Sequence, residues 1–466
     1  MTSPKTYFFC GIGGSGMMPL SVLLKKRGHI VIGSDRSYDQ GKTPEKFQAL
    51  KDLGIEISPQ DGSGISKDID VLVVSSAVEE TIPDVRAALD LDIPIVKRGA
   101  LLAELFNEAE QRIAIAGTSG KSTVTGMVGT ILTELSKDPT IVNGGEIRNL
   151  RSNENDKFSN IRKGSDSLFV AEMDESDGSI AHYKPSVAVL NNIALDHKSM
   201  EELETLFGDY LACTSQTVVV NYDQPRAAVL CEEKAKANVL SYAVKNDSAL
   251  LRAKDLVPSA EGIDFTLHHD GQAYGVHLNV PGQHNVENAL AALGVCAAMD
   301  IDIIQSINAL ESFKGVHRRM ELVGTKNGVT VIDDFAHNPD KISASLQCLK
   351  SFDGRLIVMF QPHGFGPLRM MGQEMVQAFA EHLDKGDTLI MPEVYYAGGT
   401  VDRSVTARHI IDDLNKAGVN AHWFEKRSDT SDFIIANAKQ GDRVVIMGAR
   451  DDTLHSFAQD ILNHLP

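Results

Sequence analysis

Arg112-Ile113-Ala114-Ile115-Ala116-Gly117-Thr118-Ser119-Gly120-Lys121-Ser122-Thr123 decides how this chain is read. Arg112 to Ala116 predicts a short buried strand, and Val124 to Leu135 predicts a helix. A glycine turn between the two, ending in Lys-Ser, is the geometry that cradles a nucleoside triphosphate. Backbone N–H groups along Gly117, Thr118, Ser119, Gly120 and Thr123, with the helix N-terminus, can bind phosphate oxygens. Lys121 reaches the terminal phosphates, and the Ser122 hydroxyl can hold Mg²⁺. Only two residues separate Gly117 from Gly120, where the usual phosphate loop has four. ATP is the expected ligand, and the competing reading is an ordinary glycine turn before a surface helix.

Working toward the N-terminus, Lys5 to Cys10 predicts a buried strand and Met17 to Lys26 a helix. Between them lies Gly11-Ile12-Gly13-Gly14-Ser15-Gly16, and a second strand from His29 to Ser34 ends at Asp35. An acid 19 residues after the last glycine completes a dinucleotide-type fingerprint. Gly13, Gly14, Ser15, Gly16 and Met17 would face a diphosphate, and Asp35 a sugar hydroxyl. NAD and a UDP-sugar both meet that description. Ser75, Ser76 and Arg98 fall at predicted C-terminal strand ends, where open α/β sheets bind ligands. The two serines could equally cap helices.

Length and composition bound these readings. A chain of 466 residues suits two to four domains, and 42% hydrophobic with 23% charged residues is a soluble globular composition. A net charge of −18 argues against a nucleic-acid or anionic-membrane surface, so a phosphate site must be built locally. Five scattered cysteines without a C-x-x-C pair suit a reducing compartment. Neither a secretory leader nor a run of membrane-spanning length is evident, so the expected location is the cytoplasm.

Working toward the C-terminus, a strand runs into Glu172-Met173-Asp174-Glu175-Ser176-Asp177, four carboxylates within six residues. Such crowding calls for solvent, metal or partner cations, and beside a Lys-Ser loop it suggests Mg²⁺, with Glu172 nearest the strand end. A further strand, Val187 to Leu190, leads to Asp196-His197, where His197 is a candidate ligand of a second Mg²⁺. Pro281-Gly282-Gln283-His284-Asn285 opens a helix that places Asn285 and Asn288 one turn apart, able to read an adenine edge or ribose. Helix capping competes for Asn285. After a hinge at Phe313 to Arg319, strands predicted at 329–333, 355–360, 388–391, 421–424 and 443–447 alternate with helices such as 375–383 and 406–416. That predicts a doubly wound unit. Its strand ends carry Asp333-Asp334-Phe335-Ala336-His337, Gln361-Pro362-His363 and Gly448-Ala449-Arg450-Asp451-Asp452.

The order and spacing of these motifs over nearly the full length resemble the Mur ligase family, which writes its phosphate loop in the shortened form found here. The resemblance implies an α/β protein of three domains. These are a Rossmann-like UDP-sugar domain at 1–110, a P-loop ATPase-type central domain at 111–316, and a Rossmann-like domain at 317–466 that binds the acceptor and closes on ATP. It implies an ATP-dependent ligase of peptidoglycan precursor synthesis. The carboxylate of UDP-N-acetylmuramate would attack the γ-phosphate, and the amine of L-alanine or a related amino acid would attack the resulting acyl phosphate. Lys121, Glu172, His197, Arg319 and His337 would be catalytic. Ser122, Glu172 and His197 would hold Mg²⁺. His284, Asn285, Asn288, Arg319 and Asp334 would meet ATP, and His337 and His363 would lie toward the acceptor. The expected assembly is a monomer or homodimer.

Four positions depart from the family pattern: Gly364 where an Arg is usual, Lys198-Ser199 for Met-Asp, Asp334-Phe335-Ala336-His337-Asn338 for Asp-Tyr-Gly-His-His, and Arg450 for Gly. Three of them fall in the third domain. That keeps open an alternative, a murein peptide ligase attaching a cell-wall tripeptide. An NAD-dependent oxidoreductase and a non-catalytic Mur-like protein are the readings from other classes.

Overall fold

The computed structural model describes residues 3–75, 78–151, 158–176, 178–194, 198–259, 262–395, 403–449, 451 and 453–465. Ser76 and His197, like Asp177, Asp196, Arg450 and Asp452, lie outside them. The chain divides into two compact units: Met1–Leu256 with Asp264–Asn279 and Asn285–Gly315, and Val316–Pro466 with Val257–Ile263 and Val280–His284. Among the described residues the fold is α/β throughout, with three sheets.

The first sheet has five parallel strands. Thr6–Cys10 is central, flanked by Ile30–Ser34 and Val71–Val74, with Glu56–Ser58 and Ile95–Lys97 at the edges. The strand order reverses direction at Thr6–Cys10, so the glycine turn that follows it sits at the switch point of the sheet. Helix Arg98–Asn107 joins this sheet to the next. Phe106 meets Phe169 and Tyr183 edge-on at 5.5 and 5.2 Å, and the apolar core is continuous across both sheets.

The second sheet has ten strands. Gln111–Ala116 runs between Val187–Leu190 and Leu168–Glu172, parallel to both, with Ala116 opposite Leu190 and Ile115 opposite Glu172. Three strand ends therefore converge on one edge. Helix Lys121–Glu134 begins at Lys121, three residues before the expected start. The β-rich stretch extends the sheet with Thr217–Asn221, Asn238–Ala243, Leu251–Pro258, Ile263–His269 and Gln272–Leu278.

The third sheet orders Glu321–Lys326, Val329–Asp334, Arg443–Gly448, Leu356–Gln361, Thr388–Pro392 and Ala421–Phe424, parallel except for the first, an antiparallel edge. Helix Phe365–His382 starts ten residues before the expected 375. Its first turn holds Gly366 and Pro367, which weaken the helical pattern in the sequence, whereas Phe365 and Leu368 bury against the core. No helix among the described residues is long and apolar enough to cross a membrane.

Candidate active site

The phosphate loop is stapled to its neighbours before any ligand is considered. Gly117 and Gly120 take φ +135° and +84°, and a Cβ on Gly120 would stand 2.5 Å from Asn288 Oδ1. Both positive φ and close approach demand glycine there. The Asn192 side chain accepts from the Ser119 N–H at 2.8 Å and the Thr118 hydroxyl at 2.9 Å. Thr118 Oγ1 in turn accepts from Ala194 N. Beneath the turn a buried chain runs from the Tyr242 hydroxyl to Asn191 Oδ1 (2.6 Å), from Asn191 Nδ2 to Asn288 Oδ1 (3.1 Å), and from Asn288 Nδ2 to Asn285 Oδ1 (3.1 Å). Asn285 and Asn288 thus share one helix face, as expected, and that face supports the loop from below.

Lys121 Nζ donates to Gly117 O at 2.7 Å and lies 2.9 and 3.1 Å from the two oxygens of Glu175. Burial raises the Glu175 carboxyl above its ordinary value, and the Lys121 charge pulls it back. On the adjoining strand end, Glu172 Oε2 accepts from the Ser122 hydroxyl and from Gly144 N, each at 2.8 Å. A hydroxyl and a carboxylate oxygen in contact are hard donors of the kind that suits Mg²⁺. Ser122 and Glu172 therefore fit the expected metal. His197 lies outside the described residues.

At the first glycine turn, Asp35 is nearly buried and accepts from Gly13 N at 2.9 Å and Ser37 N at 2.8 Å, capping the short helix Arg36–Asp39. A Cβ on Gly16 would lie 3.0 Å from the Arg98 side chain, and Lys46 Nζ reaches Gly13 O at 3.4 Å. Two cations thus flank the turn. Gly14, Ser15 and Met17 complete it, with Met17 opening helix Met17–Lys26. Arg98 also pairs with Asp174 at 3.4 Å, one residue from the Glu175 that holds Lys121. Ser75, half-buried, follows strand Val71–Val74.

In the second unit the same register logic sets Asp334 beside Met447 and Gln361 beside Gly448, so three polar strand ends adjoin. Arg319 stands over the Phe335 ring at 4.9 Å, between Arg318 and Met320, whose φ values of +56° and +48° are left-handed. Non-glycine residues there cost about 1–2 kcal/mol each. Hydrogen bonds from Phe335 N to Arg318 O and from Met320 N to Asp334 Oδ1 hold the bend. His337 Nδ1 lies 2.8 Å from Phe335 O, and its ring meets His363 edge-on at 5.3 Å. A carbonyl only accepts, so Nδ1 carries the proton and Nε2 the lone pair. Burial first, then Lys341, lowers the His337 pKa to about 3, so the imidazole is neutral. His284 also lies in this unit; withdrawal from water lowers its pKa, with Asp334 opposing. Gly364 takes φ +83° at the start of helix Phe365–His382, a conformation an arginine would rarely adopt.

Sequence reasoning assigned no role to six contributors. Lys46 carries no motif. Glu175 read as one of four similar acids. Gly144 and Tyr242 act through backbone and hydroxyl contacts made only after sheet assembly. Asn191 and Asn192 could have been found from their position at the end of a core strand beside the loop.

Three family models match the chain: "Mur ligase family, catalytic domain" at residues 6–110, "Mur ligase middle domain" at 115–296, and "Mur ligase, glutamate ligase domain" at 318–450. The chain is 34% identical over 469 aligned residues to the UDP-N-acetylmuramate–L-alanine ligase of Streptomyces griseus, covering 98% of this chain and 96% of that one. Against the enzyme of the same name from Geotalea daltonii it is 35% identical, covering 95% and 94%. The crystal structure of the UDP-N-acetylmuramate–alanine ligase of Thermotoga maritima superposes with a TM-score of 0.81 at 26% identity, covering 98% of each chain.

Proposed function

The chain belongs to the Mur ligase family, and we propose that it joins L-alanine to the carboxylate of UDP-N-acetylmuramate at the expense of ATP. The observation that carries this is the convergence of the Lys121 ammonium and the Ser122–Glu172 oxygen pair on one sheet edge, within a unit that also holds the Arg98-flanked glycine turn. The names of two relatives at 34% and 35% identity supply the substrates.

In this reading residues 1–110 hold the sugar nucleotide, 111–316 hold ATP, and 317–466 bring the acceptor. Arg98 and Lys46 attract the diphosphate, while Asp35 fixes the turn. A carboxylate approaching a triphosphate gathers several negative charges, and Lys121 offsets them. Mg²⁺ held by Ser122 and Glu172 would neutralise phosphate charge in the same place. The carboxylate oxygen attacks the γ-phosphorus, the bond to the β-phosphate oxygen breaks, and ADP leaves. The acceptor amine then attacks the acyl carbon, and inorganic phosphate leaves as the amide forms. His337, neutral and presenting the Nε2 lone pair, can accept a hydrogen bond from the incoming amine and orient it, while the amine's proton leaves to solvent. Arg319 and Asp334 would meet ATP as the domains close, which keeps water from the acyl phosphate.

The test is an acceptor screen. Purified protein is given ATP, Mg²⁺ and UDP-N-acetylmuramate with each amino acid or with the cell-wall tripeptide, and ADP release and product mass are read. L-alanine should give the fastest ADP release and a product heavier by one alanyl residue. Turnover with the tripeptide alone would instead assign the recycling ligase, as the Gly364 departure allows. No acceptor-dependent ADP release with any of them would overturn the ligase reading.

A further inference from the structure

Outside the nucleotide sites, the second unit buries a mixed cluster of imidazoles and carboxylates at its start. His317 sits in the loop that opens the unit. Glu321 begins strand Glu321–Lys326 and faces Asp333 in antiparallel register. His455 comes from the first turn of helix Leu454–His464. Four separate elements, the loop, two paired strands and a helix, thus deliver four metal-ligating groups to one place.

The distances suit one small ion. His317 Nδ1 is 2.6 Å from Glu321 Oε2, and His455 Nδ1 is 3.9 Å from that oxygen and 3.0 Å from Asp333 Oδ2. The two rings meet edge-on with centroids 4.3 Å apart. Ligand atoms of His317, Glu321 and His455 all lie within 4.8 Å of one another. Tetrahedral zinc with bonds of about 2.0–2.1 Å sets its ligand atoms about 3.3 Å apart, so these separations must change by roughly 0.7 Å through side-chain rotation.

Charge points the same way. Glu321 and Asp333 are sealed from solvent, with side chains 5% and 0% exposed. The Arg318 backbone N–H donates to Glu321 Oε2 at 2.8 Å, and its guanidinium Nε lies 3.2 Å from Asp333 Oδ1. Its remaining donors go to the carbonyls of Gly448 and Asp451, and the Asp451 carboxylate is taken by Arg427. Two buried carboxylates beside two imidazoles are a donor set that a cation between the rings would satisfy. His317 and His455 are each 17% exposed, which leaves a path from solvent to a buried carboxylate pair.

We propose that His317, Glu321 and His455, with Asp333 completing the set, form a site for a divalent transition metal of the zinc class. Two imidazole nitrogens favour such an ion over Mg²⁺, which prefers an all-oxygen shell. A bound ion would tie the loop carrying Arg319 to the sheet edge and to helix Leu454–His464. The proposal does not rest on the assigned reaction.

The full-length protein is stripped with chelator, given one equivalent of Zn²⁺ or Co²⁺ in excess Mg²⁺, and desalted. Metal content, the Co²⁺ visible spectrum and thermal unfolding are then read for wild type, His317→Gln, His455→Gln and Lys121→Ala. Wild type and Lys121→Ala should each retain one zinc and show the intense Co²⁺ bands of a four-coordinate site. Each histidine variant should bind on the order of 100-fold more weakly and lose the metal-dependent rise in Tm. Equal retention in wild type and both histidine variants, or no retention in any, would overturn the site. Should a variant fail to fold, zinc-edge absorption of the wild type decides: two imidazoles in the shell uphold the assignment, and an all-oxygen shell rejects it.

Discussion

The turn after strand Thr6–Cys10 and the turn after strand Gln111–Ala116 share a local plan, with glycines between a parallel strand and a helix, but draw positive charge from different places. At the second turn the cation is in the loop itself: Lys121 folds back on Gly117 O and is countered by Glu175. At the first turn the loop has no cation. Arg98, 82 residues beyond Gly16 in sequence, and Lys46 come to it from other elements. The acids differ likewise. Asp35 spends both oxygens on backbone N–H groups of its own turn and the next helix, while Glu172 is shared between a hydroxyl and a backbone N–H. A self-contained loop suits a group that must be neutralised as it reacts. A loop completed from afar suits a group that is held and does not react.

The largest effect expected from this contrast is at Lys121. Lys121→Ala should lower ADP release by on the order of a thousandfold, about 4 kcal/mol of transition-state stabilisation. Affinity for UDP-N-acetylmuramate, read by calorimetry, should stay within a factor of about two, because the two turns carry separate cations. Loss of sugar-nucleotide binding in that variant would break the division of roles. Next comes Arg98→Ala, which should raise KM for the sugar nucleotide roughly 10–100-fold, the worth of a charge-assisted contact, and leave KM for ATP nearly unchanged. Steady-state kinetics with each substrate varied separately reads the split, and a rise in the ATP constant alone would reassign Arg98 to the Asp174 side.

Glycine substitutions sharpen the comparison at the backbone. Gly120→Ala places a side chain at φ +84° and 2.5 Å from Asn288 Oδ1, so a loss of about 2–3 kcal/mol is expected. Gly13→Ala meets Asp35 Oδ2 at 2.9 Å and the Phe47 ring at 3.0 Å without a positive φ. It should therefore be the milder change. Thermal unfolding followed by circular dichroism ranks the two, and a larger loss at Gly13 would show that contact outweighs conformation here.

These differences also explain what could be read in advance. The strands Thr6–Cys10, Gln111–Ala116 and Val187–Leu190 are apolar runs ending in turn residues, and they were legible because buried parallel strands have no polar alternation to disguise them. Lys121, Ser122 and Glu172 were legible because one loop and one strand end carry them. Lys46 and the Tyr242–Asn191–Asn288 chain were not, since they act across 30 to 100 residues of sequence and exist only once the sheets assemble. Arg318 and Arg319 look alike in sequence. Both guanidinium groups stand over Phe335, but the left-handed bend buries that of Arg318 against Asp333 and the carbonyls of Gly448 and Asp451.

The smallest expected effect concerns Glu175, the carboxylate paired with Lys121. A triphosphate reaching Lys121 must displace this carboxylate, so Glu175→Gln should lower KM for ATP by roughly 2–5-fold, the worth of a weak ion pair. The same substitution has a stability signature. Burial raises the Glu175 pKa, so the folded protein holds that proton more tightly than the unfolded chain does. Stability therefore falls as pH rises from the ordinary carboxylate value through the raised one, and above both the charged group destabilises. Glu175→Gln should gain on wild type across that rise and keep the gain at neutral pH. Thermal unfolding of both proteins from pH 4 to 8 reads the difference. A variant less stable than wild type at pH 7, with the gap widening as pH rises, would mean that the Lys121 pair outweighs burial. Glu175 would then be a group that positions Lys121 for the phosphate.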